Sequence, residues 1–563
     1  MKNTSIPTSN GAGIAFACAP PKRVRITSRW RNGVNGPDAR DCSQWGKTRS
    51  MQGVPISRHP GGPTNGAVVL SGALFVILIS LSFYLKTLAP TVLYYDPTAF
   101  PDSVVLQIQA IVLGIPHTTG YPTWVMLTHL FTYLPVGDPA YRANLSSAVY
   151  AAAAVLLVYL LCLRLTRRVV PSCVAALLFG LSRAFWSQAV ITEVYTLNAL
   201  FVALVIFLLR LWRDTRDDRH LLLACFSMGL SLTNHLTSGL LLPAGALFVG
   251  LLDRRKLKDL RLTLKGAALF LIALTPYLYL PIRASMHPPL NREAPKTVGS
   301  FFRLVSGAGF ADRMFVYGPA ALAGRAQQYL SDYLAHQFFC VPSLLLAAGG
   351  VVWLFLRDRP TLAMLAFLYF GWLLYALEYG IRDVHVFYIP TYLILAVFVA
   401  AGVATVMQGA ESLARRVPAK LGTAALIGVA AVVLVLPFGG VEQRYKAVDQ
   451  SQDYVGQQTI ECVEHKTQAG ATVLQHRSLL NYMTLVEGRR RDLDVVEVFG
   501  PGAWKARSDL WVKESRRYLA KGAVYVLFPV VDIERLNAPS FEAVGYRLIP
   551  EGCGAFYEVA RER

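Results

Sequence analysis

Residues 67–90 read AVVLSGALFVILISLSFYLKTLAP, an apolar run whose one charged side chain is Lys86. A helix of about 20 such residues crosses the hydrocarbon core of a bilayer and satisfies its own backbone hydrogen bonds there. Runs of similar character occupy residues 144–163, 386–406 and 421–437. The sequence therefore predicts a mainly α-helical bundle that crosses a membrane many times.

The composition of the whole chain agrees with this prediction. Of the 563 residues, 54% are hydrophobic and only 16% are charged, which is too apolar for a soluble enzyme of this size. A formal net charge of +20 would suggest a nucleic-acid partner for a soluble protein, but here the basic residues cluster between the apolar runs. We therefore expect the lipid bilayer, and not nucleic acid, as the partner of this charge.

The basic clusters predict a topology. Placing all of them in the cytoplasm, as the positive-inside rule requires, gives about eleven spans, with a cytoplasmic N-terminus and an external C-terminus. The expected spans are residues 67–90, 143–163, 169–185, 195–212, 220–235, 238–252, 264–281, 336–356, 361–378, 386–407 and 420–437.

Three regions follow from the pattern. Residues 1–66, rich in Gly, Pro, Ser and Arg, are expected to form a disordered cytoplasmic tail, in which Met51 is an alternative start of the chain. Residues 67–440 form the membrane domain, with external loops at 91–142 and 283–335. In the first loop, Pro122 to Leu134 is expected to be a helix lying in the membrane interface.

Residues 441–563 alternate segments with strand and helix patterns, which predicts a small external α/β domain. Cys462 and Cys553 fall in this domain. They could form a disulfide if the compartment is oxidising.

Polar and ionisable side chains near the outer membrane surface are the candidate functional residues, because a charge near hydrocarbon costs about 3 kcal/mol unless it is paired or used. On the eleven-span topology they converge on one face. Structural roles are open as well: Asp102 could cap a loop, Arg283 could reach the lipid headgroups, and Glu193 could pair with His235. The candidates are Asp102, His117, Tyr121, Glu193, Tyr195, Asn234, His235, Arg283, Arg382 and Asp383.

Five ordered motifs then make the chain recognisable. They are PDSVVLQIQAIVLGIPHTTGYP (101–122), FWSQAVITEVYTLNALF (185–201), GLSLTNHLTSGLLLP (229–243), YLYLPIRAS (277–285) and IRDVHVFYIPTY (381–392). Together they resemble a bacterial membrane family known as a domain of unknown function, which is related to protein O-mannosyltransferases of the vertebrate transmembrane protein 260 type. That family resembles a branch of the GT-C superfamily of polyprenyl-phosphate-sugar glycosyltransferases.

The resemblance implies an inverting transfer of a mannose-like sugar from a polyprenyl phosphate to a hydroxyl on a protein or glycan, at the periplasmic face of a bacterial inner membrane. Asp102 is the implied catalytic base. The family pattern Asp-x-x-Glu is broken here at Val105, which leaves open an altered substrate, another auxiliary acid or a weakened enzyme.

Phosphate binding would fall to Arg283, Arg382 or His117, since arginine matches phosphate oxygens with two parallel hydrogen bonds. Asp383 could instead pair with Arg382. Tyr121, Glu193, Tyr195, Asn234 and His235 complete the expected substrate pocket. No metal-ligand spacing surrounds His117, so neither a bound metal nor a tightly bound cofactor is predicted, although a divalent ion remains compatible.

Two other classes of function fit part of the pattern. A transporter or flippase for lipid-linked sugars also needs many spans, but the sequence shows no repeated half, and its ionisable residues gather at one face and not at the midplane. A non-catalytic scaffold whose external domain binds glycan or peptide is the second alternative. The change at Val105 is the feature that favours it.

Overall fold

The structure is a computed structural model that describes residues 65–94, 102–291, 293–338, 341–476, 478–498, 508–528 and 539–562. The predicted tail, apart from its last two residues, lies outside the described residues.

Helices make up most of the described chain, with short 3₁₀ and π-helical turns between them. Up to the second external segment the helices are α1 (Gly66–Thr87), α2 (Ser103–Val112), α3 (Pro122–Phe131), α4 (Pro139–Thr166), α5 (Val169–Gly180), α6 (Arg183–Ala189), α7 (Tyr195–Thr215), α8 (Arg219–Leu232), α9 (Leu241–Leu252), α10 (Arg254–Lys258), α11 (Leu260–Ala273) and α12 (Tyr279–Ser285). From there on they are α13 (Val298–Val305), α14 (Pro319–Gln328), α15 (Ala335–Phe338), α16 (Val341–Arg357), α17 (Arg359–Leu377), α18 (Ile389–Ala414), α19 (Ala419–Val435), α20 (Val441–Val448), α21 (Val455–Lys466), α22 (Leu479–Asn481) and α23 (Ser508–Leu519).

The eleven predicted spans all fall on apolar helices, but not all of these helices are long. Within the described residues, seven are long and apolar enough to cross a bilayer, or eight if α5 and α6, bent by 68°, count as one span. The other three predicted spans coincide with shorter helices: Arg219–Leu232, Leu236–Leu252 and Val341–Arg357. At 1.5 Å per residue such helices fall short of a core of about 30 Å.

The centre of the bundle is α18, which lies 89% buried over its most apolar window. It packs closely on α16 through glycines from both helices. A Cβ on Gly350 would collide with the carbonyl of Phe398, and a Cβ on Gly402 would collide with the carbonyl of Leu346. Close backbone approach between apolar helices is typical of membrane bundles, because dispersion contacts drive their association.

The segments 91–142 and 283–335 contain regular structure. A helix is present where one was predicted in the first segment, as α3, which ends at Phe131 instead of Leu134. The segment 283–335 is partly helical and not a plain loop, since it holds α13, α14 and a π-helical turn at Tyr329–Leu334. Thr297 begins α13 with a capping box shared with Ser300, a local signal that sets the start of this helix.

The C-terminal region forms the predicted α/β fold around a five-stranded sheet of order β2-β1-β3-β5-β4. Strands β1 and β2 and strands β1 and β3 pair in parallel, whereas β3 with β5 and β4 with β5 are antiparallel. The strands are β1 (Thr472–Gln475), β2 (Asp494–Glu497), β3 (Val524–Leu527), β4 (Tyr546–Pro550) and β5 (Phe556–Arg561). A disulfide joins Cys462 on α21 to Cys553, which precedes β5.

This C-terminal region packs directly on α2. Val104, Val105 and Ile108 of α2 share one apolar cluster with Leu480 and Met483 of the C-terminal region. The helix that follows Asp102 is therefore held between the membrane bundle and the external sheet.

Candidate active site

Asp102 lies immediately before α2 and is the N-cap residue of this helix, although its carboxylate makes no capping hydrogen bond. The side chain is 27% exposed, and its Oδ2 lies 3.9 Å from Nε2 of His117. Asp102 therefore stands at a solvent-accessible position at the start of a helix whose remaining length is buried.

A buried polar network fixes α2 against the bundle. Gln107 on α2 donates to the side-chain oxygen of Asn144 on α4 at 2.8 Å, and the same oxygen accepts from the hydroxyl of Thr192 at 2.6 Å. Buried hydrogen bonds of this kind specify one arrangement, because a broken member leaves an unsatisfied polar group. The network ties the helix of Asp102 to the loop that carries Glu193.

Glu193 is buried between α6 and α7, with 5% of its surface exposed. Its Oε1 accepts a hydrogen bond from the hydroxyl of Ser103 at 2.9 Å. Burial, and next the negative charges of Asp102 and Asp383, raise the pKa of Glu193 well above its ordinary value. Both effects favour the protonated form of this carboxyl group.

Asp383 enters the same electrostatic environment from the loop after α17. Burial raises the pKa of the Tyr121 hydroxyl well above its ordinary value, and the charge of Asp102 adds most to this rise, with smaller contributions from Tyr379, Glu193 and Asp383. Carboxyl groups from three separate parts of the chain thus contribute to the electrostatic environment of one tyrosine.

Aromatic rings form one wall of the site. The hydroxyl of Tyr121 lies 3.2 Å from Nε2 of His117. The ring of Tyr121 stacks on the ring of His235 at a centroid distance of 6.4 Å. Tyr195 and Phe387 each lie 5.6 Å from the ring of His235. Burial lowers the pKa of His235 to about 4, so this imidazole is neutral at pH 7.

The predicted pair between Glu193 and His235 is wrong: in the described residues the two side chains have other partners. Glu193 bonds Ser103, whereas Nδ1 of His235 lies 2.8 Å from the hydroxyl of Thr237. Because His235 is neutral, it cannot form an ion pair with Glu193. Such a pair would therefore not compensate either side chain for the hydration that it loses on burial. Asn234 is also buried, and its amide donates to the carbonyl of Val194 at 3.5 Å.

Arg283 holds the far end of α2. Its Nε donates to the carbonyl of Leu113 at 2.9 Å, and its NH2 group donates to the carbonyl of Val112 at 3.3 Å. A cation at a helix C-terminus satisfies carbonyls that have no partner within the helix and complements the helix dipole. The structure therefore gives Arg283 a supporting position, which differs from its predicted place on the donor phosphate.

Arg382 is exposed and directly precedes Asp383. Arg313 is a cation of this region that the sequence analysis missed. Burial raises the pKa of Tyr379, and the positive charge of Arg313 lowers it. The carbonyl of Arg313 accepts a hydrogen bond from the amide of Gly380 at 2.8 Å. No local pattern marks Arg313, since it reaches the site through contact between two segments that are distant in sequence.

Within the described parts of the chain, no group of three or more His, Cys, Asp or Glu residues is arranged to hold a metal ion. The candidate site consists of carboxyl, hydroxyl and aromatic groups, with exposed arginines beside it. Such a site can accept a proton, bind hydroxyls and hold an anionic group.

Solved structures share this architecture. The apo structure of ArnT from Cupriavidus metallidurans aligns with a TM-score of 0.54 at 11% identity, covering 87% of this chain and 98% of that chain. The oligosaccharyltransferase AglB from Archaeoglobus fulgidus, in complex with an inhibitory peptide and a dolichol-phosphate, aligns with a TM-score of 0.54 at 11% identity, covering 88% of this chain and 74% of that chain. The chain is therefore a multi-pass membrane protein whose fold is similar to the folds of these two proteins.

Comparison of the amino-acid sequence with known families and relatives narrows the class of protein further. Residues 102–258 match the N-terminal domain of the protein O-mannosyl-transferase TMEM260 family. The mouse protein O-mannosyl-transferase TMEM260 is 33% identical over 195 residues, which is 33% of this chain and 28% of the relative. Its Dictyostelium discoideum counterpart is 25% identical over 234 residues, or 38% of this chain and 28% of the relative. The chain thus spans less than a third of these curated relatives, and its matched region contains Asp102, Glu193 and His235.

Proposed function

We propose that this chain is a membrane glycosyltransferase that moves a mannose-like sugar from a polyprenyl phosphate to a hydroxyl of a protein or glycan acceptor. The observation that carries the proposal is the position of Asp102, 3.9 Å from His117 beside an aromatic wall, with Glu193 bonded to the adjacent Ser103. Similarity supports it as well: the curated relatives are named protein O-mannosyl-transferases, and one ArnT structure of the same fold is bound to undecaprenyl phosphate.

Asp102 is the proposed catalytic base. Its side chain is 27% exposed, whereas Glu193 is buried, and a base must reach the proton of the acceptor hydroxyl. As the acceptor oxygen attacks the anomeric carbon, the proton passes to Asp102 and the bond from that carbon to the phosphate oxygen breaks. A single displacement inverts the configuration of the sugar carbon.

Glu193 is the proposed auxiliary acid that replaces the carboxylate missing at Val105. Val105 is 1% exposed and lies in the apolar cluster between α2 and the C-terminal region, where a carboxylate would be costly. Glu193 instead reaches Ser103, the residue after Asp102, from another loop. Of the three explanations for the change at Val105, this contact favours a different auxiliary acid.

The departing phosphate needs little protonation, because a phosphate monoester is already a stable anion. It needs positive charge that is fixed in place beforehand. Arg313 and Arg382, both exposed at the edge of the site, and His117 are the proposed groups for this role. Arg283 is engaged by helix carbonyls, so we assign it to positioning α2.

The proposed setting is the periplasmic face of a bacterial inner membrane, with the C-terminal α/β region placing the acceptor. The contact of α2 with α22 supports this, because it puts the external region beside Asp102. The disulfide between Cys462 and Cys553 agrees with an oxidising compartment.

The test is transfer by the purified chain from a labelled polyprenyl-phosphate sugar to candidate acceptors. Asp102→Asn should lower the rate by about 10²–10⁴-fold, the range for removing a general base, and should leave the thermal stability close to that of the wild type. Glu442→Gln is the matched control, because Glu442 is an exposed carboxylate whose partner is Lys446, outside the site.

Three results would overturn the assignment. Full transfer by Asp102→Asn would exclude the proposed base. Movement of the labelled lipid across vesicles by both proteins, without transfer, would identify a flippase, and acceptor binding without turnover would identify a scaffold.

A further inference from the structure

A second, apolar cavity lies in the bundle away from the candidate active site. It encloses about 350 Å³ between α7, α8, α9 and α11, and its lining includes Leu209, Met228, Ala246 and Phe270. That volume falls within the usual range of ligand pockets, about 300–1,000 Å³. The residues of α8 that line the cavity lie between Leu221 and Met228, toward the start of the helix. The site residues Asn234 and His235 follow the end of this helix.

The cavity borders a helix that faces the lipid. Leu264 and Leu271 on α11 are 60% and 63% exposed, and the most apolar window of the Leu260–Ser285 span is only 11% buried. In a bilayer such a surface contacts hydrocarbon. The cavity therefore borders a helix whose outer face acyl chains contact.

A basic turn borders one end of the cavity. Lys256 lines this end and pairs with Asp218 at 2.5 Å, and it belongs to the turn 253–261, DRRKLKDLR, which carries five basic and two acidic residues. The two acids are occupied as helix caps: Asp253 accepts from the amide of Arg255, and Asp259 accepts from the amide of Leu262. Within the described parts of the chain, the exposed Arg254 and Arg255 form no ion pair.

We propose that this cavity binds an acyl chain of an anionic phospholipid, with the lipid phosphate lying against the basic turn 253–261. An apolar cavity beside a cluster of Lys and Arg at the membrane surface matches the two parts of such a lipid. The polyprenyl phosphate donor is a poorer occupant, because its phosphate must reach Asp102 at the other end of the helices. Two copies of this chain would bring identical basic turns together, which is unfavourable.

Cys225 provides a direct reporter, because its thiol lines the cavity and is half-buried. The full chain is placed in nanodiscs of phosphatidylcholine with or without phosphatidylglycerol and treated with an apolar maleimide. Alkylation is read on the peptide that carries Cys225. Phosphatidylglycerol should slow this alkylation, and native mass spectrometry should show one retained phosphatidylglycerol for each chain.

Two variants test the two parts of the site separately. Arg254→Gln with Arg255→Gln should weaken phosphatidylglycerol binding by roughly tenfold or more, at about 1 kcal/mol for each basic residue near a membrane surface. The control is Arg415→Gln with Arg416→Gln, in another basic cluster that does not line the cavity. Ala246→Leu should fill the cavity and abolish retention, whereas Ala425→Leu, at an exposed position of α19, should not.

Three outcomes would overturn the proposal. They are equal protection of Cys225 by phosphatidylcholine, retention of added undecaprenyl phosphate in place of phosphatidylglycerol, and a dimer that Ala246→Leu dissociates. None of these readouts uses sugar transfer, so they stand apart from the proposed enzymatic function.

Discussion

At the scale of single residues, burial and a raised pKa distinguish Glu193 from Asp102. Asp102 is partly exposed, whereas Glu193 is buried and accepts from Ser103. The negative charges of Asp102 and Asp383 add to the effect of burial on the pKa of Glu193. Environments that separate the pKa values of neighbouring acids allow one to act as a base while another stays neutral.

Glu193→Gln tests this protonation through the pH dependence of stability. The pKa of Glu193 is raised above its ordinary 4.5 in the folded chain, so the folded chain keeps a proton that the unfolded chain releases. Stability from this group is full below about pH 4.5 and falls as the pH rises toward the folded pKa. Glutamine does not titrate, so the melting temperature of the variant should rise relative to that of the wild type as the pH increases.

The measurement is the melting temperature of both proteins from about pH 4 to pH 8. A difference that stays constant over this range would contradict a buried, protonated Glu193. The amide oxygen of Glu193→Gln can still accept from Ser103 but carries no acidic proton, so transfer should fall in this variant, as the proposed auxiliary acid requires.

At the scale of secondary-structure elements, α2 is the part that positions the proposed base. Its sides are held by Gln107 and by the apolar cluster with the C-terminal region, and its end is held by Arg283. Because Arg283 contacts carbonyls at the opposite end of α2 from Asp102, it acts on the site through the helix.

Arg283→Ala should therefore slow transfer by disturbing the placement of Asp102. We expect a loss of roughly 1–3 kcal/mol in stability, the cost of leaving carbonyls without a partner, and a lower kcat with little change in KM. Arg283→Lys should restore part of both properties. The control is Arg303→Ala on α13, an exposed arginine in a helix outside the site. An increase in KM alone would instead indicate that Arg283 binds the donor.

The contact of α16 with α18 gives a second test at this scale. Gly350→Ala places a methyl group against the carbonyl of Phe398, and overpacking of this kind costs about 1–3 kcal/mol. Gly349→Ala is the matched control, because no atom lies within 4 Å of the new Cβ and alanine favours helix. Thermal unfolding in detergent should show a lower melting temperature for the first variant only. Equal melting temperatures would show that α16 and α18 lie further apart.

The sequence predicted the secondary-structure elements better than it predicted the contacts between side chains. The apolar runs located eleven apolar helical segments, because hydrophobicity is a local property, but within the described residues only seven or eight of them are long enough to span, and the helix Arg219–Leu232 is short. Strand β4, from Tyr546 to Pro550, lies at the sheet edge and lacks a strong alternating pattern. Among the site residues, motif order gave Asp102, Glu193 and Asp383. The partners Ser103 and Arg313 depend on folding across distant segments.

At the scale of the whole molecule, one arrangement underlies the proposed mechanism: the three carboxyl groups and the C-terminal region must share one side of the membrane. The structure places α2 in contact with α22 and puts Glu193 on Ser103. The basic turn 253–261 lies at the other ends of the helices that lead to His235. A single bilayer between these two ends would place the carboxyl groups and the C-terminal region on one side and the basic turn on the other.

Reporter fusions test this arrangement directly. Alkaline phosphatase fused after Glu562 should be active, because it folds only outside the cytoplasm, whereas a fluorescent protein at the same point should stay dark. Fusions within the basic turn, after Arg255, should give the opposite pair of results, since clustered arginines and lysines are retained in the cytoplasm. A fusion after Arg216, in another basic cluster, is the control and should match Arg255. A fluorescent fusion at Glu562 would place the C-terminal region, and Asp102 with it, in the cytoplasm, where the proposed acceptors are not delivered.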